Sequence, residues 1–129
     1  MISLSSETFK YFLLFIMCMK ISKEDLIRIN QGFDGNIRND SSLDYALDIQ
    51  KNNKLGEYKK LAYLLRAILV DHPFSDGNKR TAMYICLKFA EENVKQVDRD
   101  LLLYQIVSIA KNNLTEIRNI EWRIKNCIK

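Results

Sequence analysis

The sequence predicts an all-α fold, a single compact bundle of about six or seven helices. Three observations point there. Gly occurs only 4 times and Pro once in 129 residues, punctuation too sparse for a many-stranded sandwich or barrel. Hydrophobic residues make up 47% and recur at i, i+3, i+4 and i+7, the period of a helix with one buried face. The length suits one domain, and a domain of this size buries about two-thirds of the surface its unfolded chain exposes, so no staples are needed.

Taken in order, residues 1 to 20 contain the run Tyr11 to Met19, nine apolar residues between Lys10 and Lys20. That is too short to span a bilayer. Glu7, the lack of a strongly basic start and the lack of a small-residue cleavage site argue against a signal peptide. The expectation is a cytoplasmic protein with no membrane segment, whose N-terminal helix is buried or covered at an interface, including a homo-oligomer through residues 9–19. Ser22-Lys23-Glu24-Asp25 fits a helix start with an acidic residue three after the Ser, running through Leu26, Ile27 and Ile29 to stop near Gly32. Phe33-Asp34-Gly35-Asn36 reads as a turn, and Ser41-Ser42-Leu43-Asp44 repeats the cap pattern before Leu43, Ala46, Leu47 and Gln50. Residues 51 to 57 are polar, contain Gly56 and form a loop.

Leu61, Leu64, Leu65, Ile68 and Leu69 place a helix over 58–71. Ala82, Ile85, Cys86, Phe89 and Ala90 place the next, ending near Asn93. Asp98 caps a helix through Leu102, Ile106 and Ala110, and Thr115 caps a last one with Ile117, Ile120, Ile124, Cys127 and Ile128 on one stripe. No internal repeat, low-complexity tract or linker interrupts this organisation. The net charge of +4 permits an anionic ligand but lacks the dense basic clustering of a dedicated nucleic-acid binder. Cys18, Cys86 and Cys127 are odd in number and lie in apolar patterns, as reduced core thiols do.

The densest polar cluster is His72-Pro73-Phe74-Ser75-Asp76-Gly77-Asn78-Lys79-Arg80-Thr81-Ala82, which holds the only His and the only Pro. Pro73 pushes His72 out of the α region and closes the incoming helix. Asn78, Lys79 and Arg80 then fall in the first turn of the outgoing one, where unpaired N–H groups and the positive dipole end favour an anion. Each wrong-signed charge there costs roughly 0.3–1 kcal/mol, which a bound polyanion would offset. The imidazole of His72 can act as a general base; the plainer alternative is a His packed at a helix end. Asp76 suits Mg²⁺ held by one carboxylate plus phosphates and waters, against an ordinary Asp-Gly turn. Gly77 lets backbone approach a ligand, the N–H groups of residues 77 to 80 can converge on a phosphate, and Lys79 and Arg80 can embrace it from two sides. Phe74 is read as the apolar pin that fixes the loop to the core. A Walker A loop is excluded, because Asn78 separates Gly77 from Lys79 and a helix, not a strand, precedes the loop.

His72 to Arg80 closely resembles the signature of the Fic/Doc (Fido) family, His-x-Phe-x-[Asp/Glu/Asn]-x-Asn-[Gly/Lys]-Arg, and Thr81-Ala82 fits its death-on-curing (Doc) branch. The looser resemblance makes residues 22–129 the Fic/Doc domain and leaves residues 1–21 outside it. It implies an all-helical fold binding ATP with Mg²⁺, with His72 as general base, Asp76 as metal ligand, and Gly77, Asn78, Lys79 and Arg80 as the phosphate site. The loop near residues 50 to 57 would be the flap that docks an extended target segment. Lys79 stands where AMP-transferring members have Gly, and Met83 where they have a second Arg. Both match the Doc branch, which implies a protein kinase with a catalytic role for Lys79, a translation elongation factor as target, and an antitoxin as partner. Ser3 with Glu7 is followed by Thr8, which breaks the family's inhibitory pattern and implies inhibition in trans. AMP transfer, and a non-catalytic domain that binds nucleotide or a partner, are the alternatives.

Overall fold

The computed structural model describes residues 21–129. Among them six helices run in the order α1 (Lys23–Gln31), α2 (Ser41–Ile49), α3 (Glu57–Leu69), α4 (Asn78–Glu92), α5 (Arg99–Lys111) and α6 (Ile117–Lys125), with no strand beyond two isolated bridges. The all-α prediction holds. The apolar run at 11–19, Cys18 and the proposed interface through residues 9–19 lie outside the described residues. No described helix is long and apolar enough to cross a membrane.

The bundle is organised on α3. Leu61, Leu64, Leu65, Ile68 and Leu69 are at most 1% exposed, and the helix packs most extensively against α6 and α2, then α4. Burying one such side chain contributes about 1.5–3 kcal/mol as an upper bound. From α4 the stripe Ala82, Ile85, Cys86, Phe89 and Ala90 closes on the same core, and Leu102, Ile106 and Ile109 of α5 complete it. Burial pushes the thiols of Cys86 and Cys127 up, so both are inert apolar fillers.

The caps explain most boundaries. At α1, Ser22 Oγ accepts from Asp25 N at 3.1 Å and Asp25 Oδ2 accepts from Ser22 N at 3.0 Å, the reciprocal box read from the sequence. At α5, Asp98 accepts from Leu101 N at 3.1 Å. Two starts differ. Ser41 is the first residue of α2, not its cap, because Asn39 Oδ1 takes both its N–H (3.1 Å) and its hydroxyl (2.8 Å). Helix α6 begins after Glu116, not Thr115, and ends at Lys125. Cys127 and Ile128 therefore lie past the helix, buried because the chain there pairs with residues 96–98: Asp98 N donates to Cys127 O at 2.8 Å and Lys129 N to Gln96 O at 2.9 Å.

Helix α1 is tied to the start of α2 by Lys23 Nζ, 2.6 Å from Asp40 Oδ2 and 3.0 Å from Asp44 Oδ1. The hydrogen bond from Lys23 holds the Asp40 carboxyl below its usual range, and the same contacts raise the Lys23 ammonium. A lowered carboxyl contributes stability above its unfolded pKa, about 3.9, and loses it as pH falls through the folded value. The raised ammonium contributes below about pH 10.4 and loses its share as pH rises beyond that. Asp40→Asn should therefore lower the urea midpoint slightly at pH 7 and converge with wild type once the pH falls below the lowered folded value of Asp40. In 1 M salt the difference at pH 7 should shrink, because the pair is exposed.

Candidate active site

Helix α3 stops at Leu69, and the chain reverses at His72, whose φ is +48°. The sequence put His72 outside the right-handed helical region, and the structure realises this as a left-handed turn. Pro73 removes only the right-handed helical option. Tertiary packing selects the turn that swings Pro73 and Phe74 back inward. Both are buried, Phe74 fully.

Residues 36–39 hold this reversal by lying antiparallel to it. Arg38 N donates to Pro73 O at 2.7 Å, Asn39 N to the same oxygen at 3.1 Å, and Ser75 N to Asn36 O at 2.9 Å. The Ser75 hydroxyl accepts from Asn36 N at 3.1 Å, and an Arg38 guanidinium nitrogen lies 3.3 Å from His72 O.

Beyond Phe74 the loop closes on itself. Asn78 Oδ1 accepts from Phe74 N at 3.3 Å and Asn78 Nδ2 donates to Phe74 O at 3.0 Å. Asp76 Oδ1 accepts from Gly77 N at 2.7 Å. Gly77 has φ +72°, and a Cβ there would meet Phe33 Cβ and O at 3.0 Å, so neither the conformation nor the space admits another residue.

Beneath the loop sits Asn30 of α1, fully buried. Its Nδ2 donates to Asp76 O at 2.7 Å and to Thr81 Oγ1 at 3.2 Å, joining α1 to the loop and to the first turn of α4. A Cβ on Gly35 would fall 2.2 Å from Asn30 Oδ1 and 2.3 Å from Asp76 O, so this glycine makes room for the clamp.

His72, Ser75, Asp76, Gly77, Asn78, Lys79 and Arg80 line one recess of about 250 Å³. His72, Asp76, Lys79 and Arg80 are exposed in it. Thr81 N donates the first intrahelical bond, to Gly77 O at 2.9 Å, so the N–H groups of Asn78, Lys79 and Arg80 form the unpaired first turn. That turn contains no acidic residue, and neither cation has a salt bridge among the described residues. The recess thus sets two cations and an open helix start against the single carboxylate of Asp76. Asp76 keeps one carboxylate oxygen outside its bond to Gly77. This suits an ion such as Mg²⁺, which uses one or two carboxylates and completes its shell with phosphates and water.

The structure brings all the candidate residues together in one recess. The side chain of Asn78 is spent on the Phe74 backbone and the Gly77 N–H on Asp76, which leaves the N–H groups of residues 78–80 facing the recess. The loop at 50–57 does not reach it. That loop joins α2 to α3 at the far end of α3, about 18 Å from Leu69 at 1.5 Å per residue. Residues 36–39 flank the motif instead, since it is α2's start and α3's end that face it.

Sequence reading missed Asn30, Gly35 and Arg38. The available signal was an Asn four residues after Leu26, on the inward face of a short helix and just ahead of a turn. Asn30→Ala should strand the Asp76 carbonyl and cost about 1–3 kcal/mol, read as a lower urea midpoint with an unchanged m-value.

No curated protein and no solved structure matches the chain. The model of the Fic/DOC family matches residues 20–90, more than half of the sequence, from the start of α1 through the motif to the inner turns of α4. With the signature loop folded around one recess and the family model spanning the helices that build it, the chain belongs to the Fic/DOC family.

Proposed function

We propose that the protein is an ATP-dependent protein phosphotransferase of the Doc type, moving the γ-phosphoryl of ATP to a Ser or Thr hydroxyl of a target protein. The observation that supports this reading is the pairing, in one recess, of the His72 imidazole with a first helical turn that carries two cations and no acidic residue. A triphosphate there would meet the N–H groups of Asn78, Lys79 and Arg80, with Arg80 supplying a planar fork of donors and Lys79 a point charge. His72, fixed by the reversal at Pro73, would accept the proton of the attacking hydroxyl. The new bond is from hydroxyl oxygen to the γ-phosphorus, the broken one is the β,γ-bridge, and ADP leaves. Proton acceptance of this kind is worth roughly 10²–10⁴-fold in rate.

Asp76 would hold Mg²⁺ through its remaining oxygen, and that ion, when bound, neutralises charge on the phosphates. Lys79 supports γ- over α-phosphoryl transfer, because its bulk and charge in the anion site alter which phosphorus lies in line with the hydroxyl. Inhibition by a partner in trans is part of the same proposal. The target segment would lie along residues 36–39, whose Ile37 is exposed beside the motif.

Incubation with cell extract and either γ- or α-labelled ATP tests this directly. The γ-label should appear on protein, fall by about 10²-fold or more in His72→Ala, and vanish when EDTA removes divalent ions. The α-label on protein would establish AMP transfer instead. ATP binding without turnover, indifferent to His72→Ala, would exclude the enzyme.

A further inference from the structure

A hollow of about 540 Å³ lies at the opposite end of the α2–α3 pair from His72 and shares no residue with the recess around the motif. Its volume falls in the range of small-molecule pockets, about 300–1,000 Å³. Ile21 and Leu47 give it an apolar side, and Lys60 faces it from the first turns of α3.

Lys60 is the buried cation of the described chain, its side chain 8% exposed. Its ammonium makes no hydrogen bond among the described residues, and the nearest carboxylate oxygen, on Glu57, is 3.8 Å away, beyond hydrogen-bonding distance. Its one charged neighbour at that distance leaves the ammonium's donors open to a closer acceptor.

Two further facts single out Lys60 as the group in the hollow that can receive an anion. Helix α3 starts at Gly56 with no side-chain cap, and Lys60 N makes the first intrahelical bond, to Gly56 O at 3.1 Å, so the N–H groups of residues 57–59 form an open first turn. The other charges on the lining are already engaged. Lys23 is held by Asp40 and Asp44, Lys51 lies 3.9 Å from Asp48, and Asp25 closes the capping box of α1, which leaves Lys60 against Glu57. Gln50 Nε2 donates to both Ala46 O and Lys60 O at 3.0 Å, fixing the wall from which Lys60 projects.

We propose that this hollow is a second ligand site, for a small amphipathic anion whose carboxylate or phosphate head meets Lys60 and whose apolar body rests on Ile21 and Leu47. The site is independent of the transferase reading, and its test reads binding alone. The ¹⁵N-labelled full chain is titrated with hexanoate, hexyl phosphate and 1-hexanol while the amides of residues 50–60 are followed. Either anion should shift these amides, the tighter of the two naming the head group, and 1-hexanol should bind about tenfold more weakly or not at all. Lys60→Met should weaken the anion about tenfold and leave 1-hexanol unchanged, whereas Lys59→Met and His72→Ala should leave both unchanged. If Lys60→Met fails to fold, the wild-type contrast between anion and alcohol decides alone. Absence of shifts at about 10 mM anion, equal binding of hexanoate and hexanol, or undiminished anion affinity in folded Lys60→Met would overturn the proposal.

Discussion

One buried amide holds the functional end of this molecule together. Asn30 has no access to water, and its two N–H donors reach the Asp76 carbonyl and the Thr81 hydroxyl. Through those contacts a single side chain on α1 fixes the last residues of the loop and the opening turn of α4. The Asn30 Oδ1 meets no partner among the described residues, so the side chain's contribution rests on these two Nδ2 bonds, and breaking either strands a donor where water cannot reach it. The close backbone approach this requires explains Gly35 and Gly77, since a side chain at either would strike Asn30 or its neighbours.

The remainder of the loop is held by backbone pairing and one apolar anchor. Phe74 fills the core while the groups on either side of it are matched by residues 36–39 and by the Asn78 amide. This leaves His72, Asp76, Lys79 and Arg80 outward on a backbone with little freedom. A left-handed His72 and a cationic first turn both work against stability. They persist because the surrounding contacts over-determine the loop, and they put a proton acceptor and a positive pole on the same recess.

The rest of the bundle separates rigidity from polarity. Helix α3 is buried along most of its length and carries a hollow at each end, the recess of the motif beyond Leu69 and the partly apolar one around Lys60. Both hollows use the open first turn of a helix next to cations, α4 in one and α3 in the other. In the first the cations are exposed, while in the second Lys60 is withdrawn from solvent.

The sequence by itself determined the helical class, most helix positions and the identity of the motif, because these rest on local physics: period, caps, and the spacing of polar groups over nine consecutive residues. Ser22, Asp98 and the stripes around Leu64 and Ile85 are legible for that reason. Only the tertiary structure decided the left-handed turn at His72, the clamp from Asn30, and the choice of residues 36–39 over 50–57 as the motif's neighbour. Each depends on contacts between residues some 35 to 50 positions apart, such as Asn36 with Ser75 and Asn30 with Thr81. A one-dimensional pattern carries no record of such pairings, since they follow from how helices pack and not from how any one of them forms.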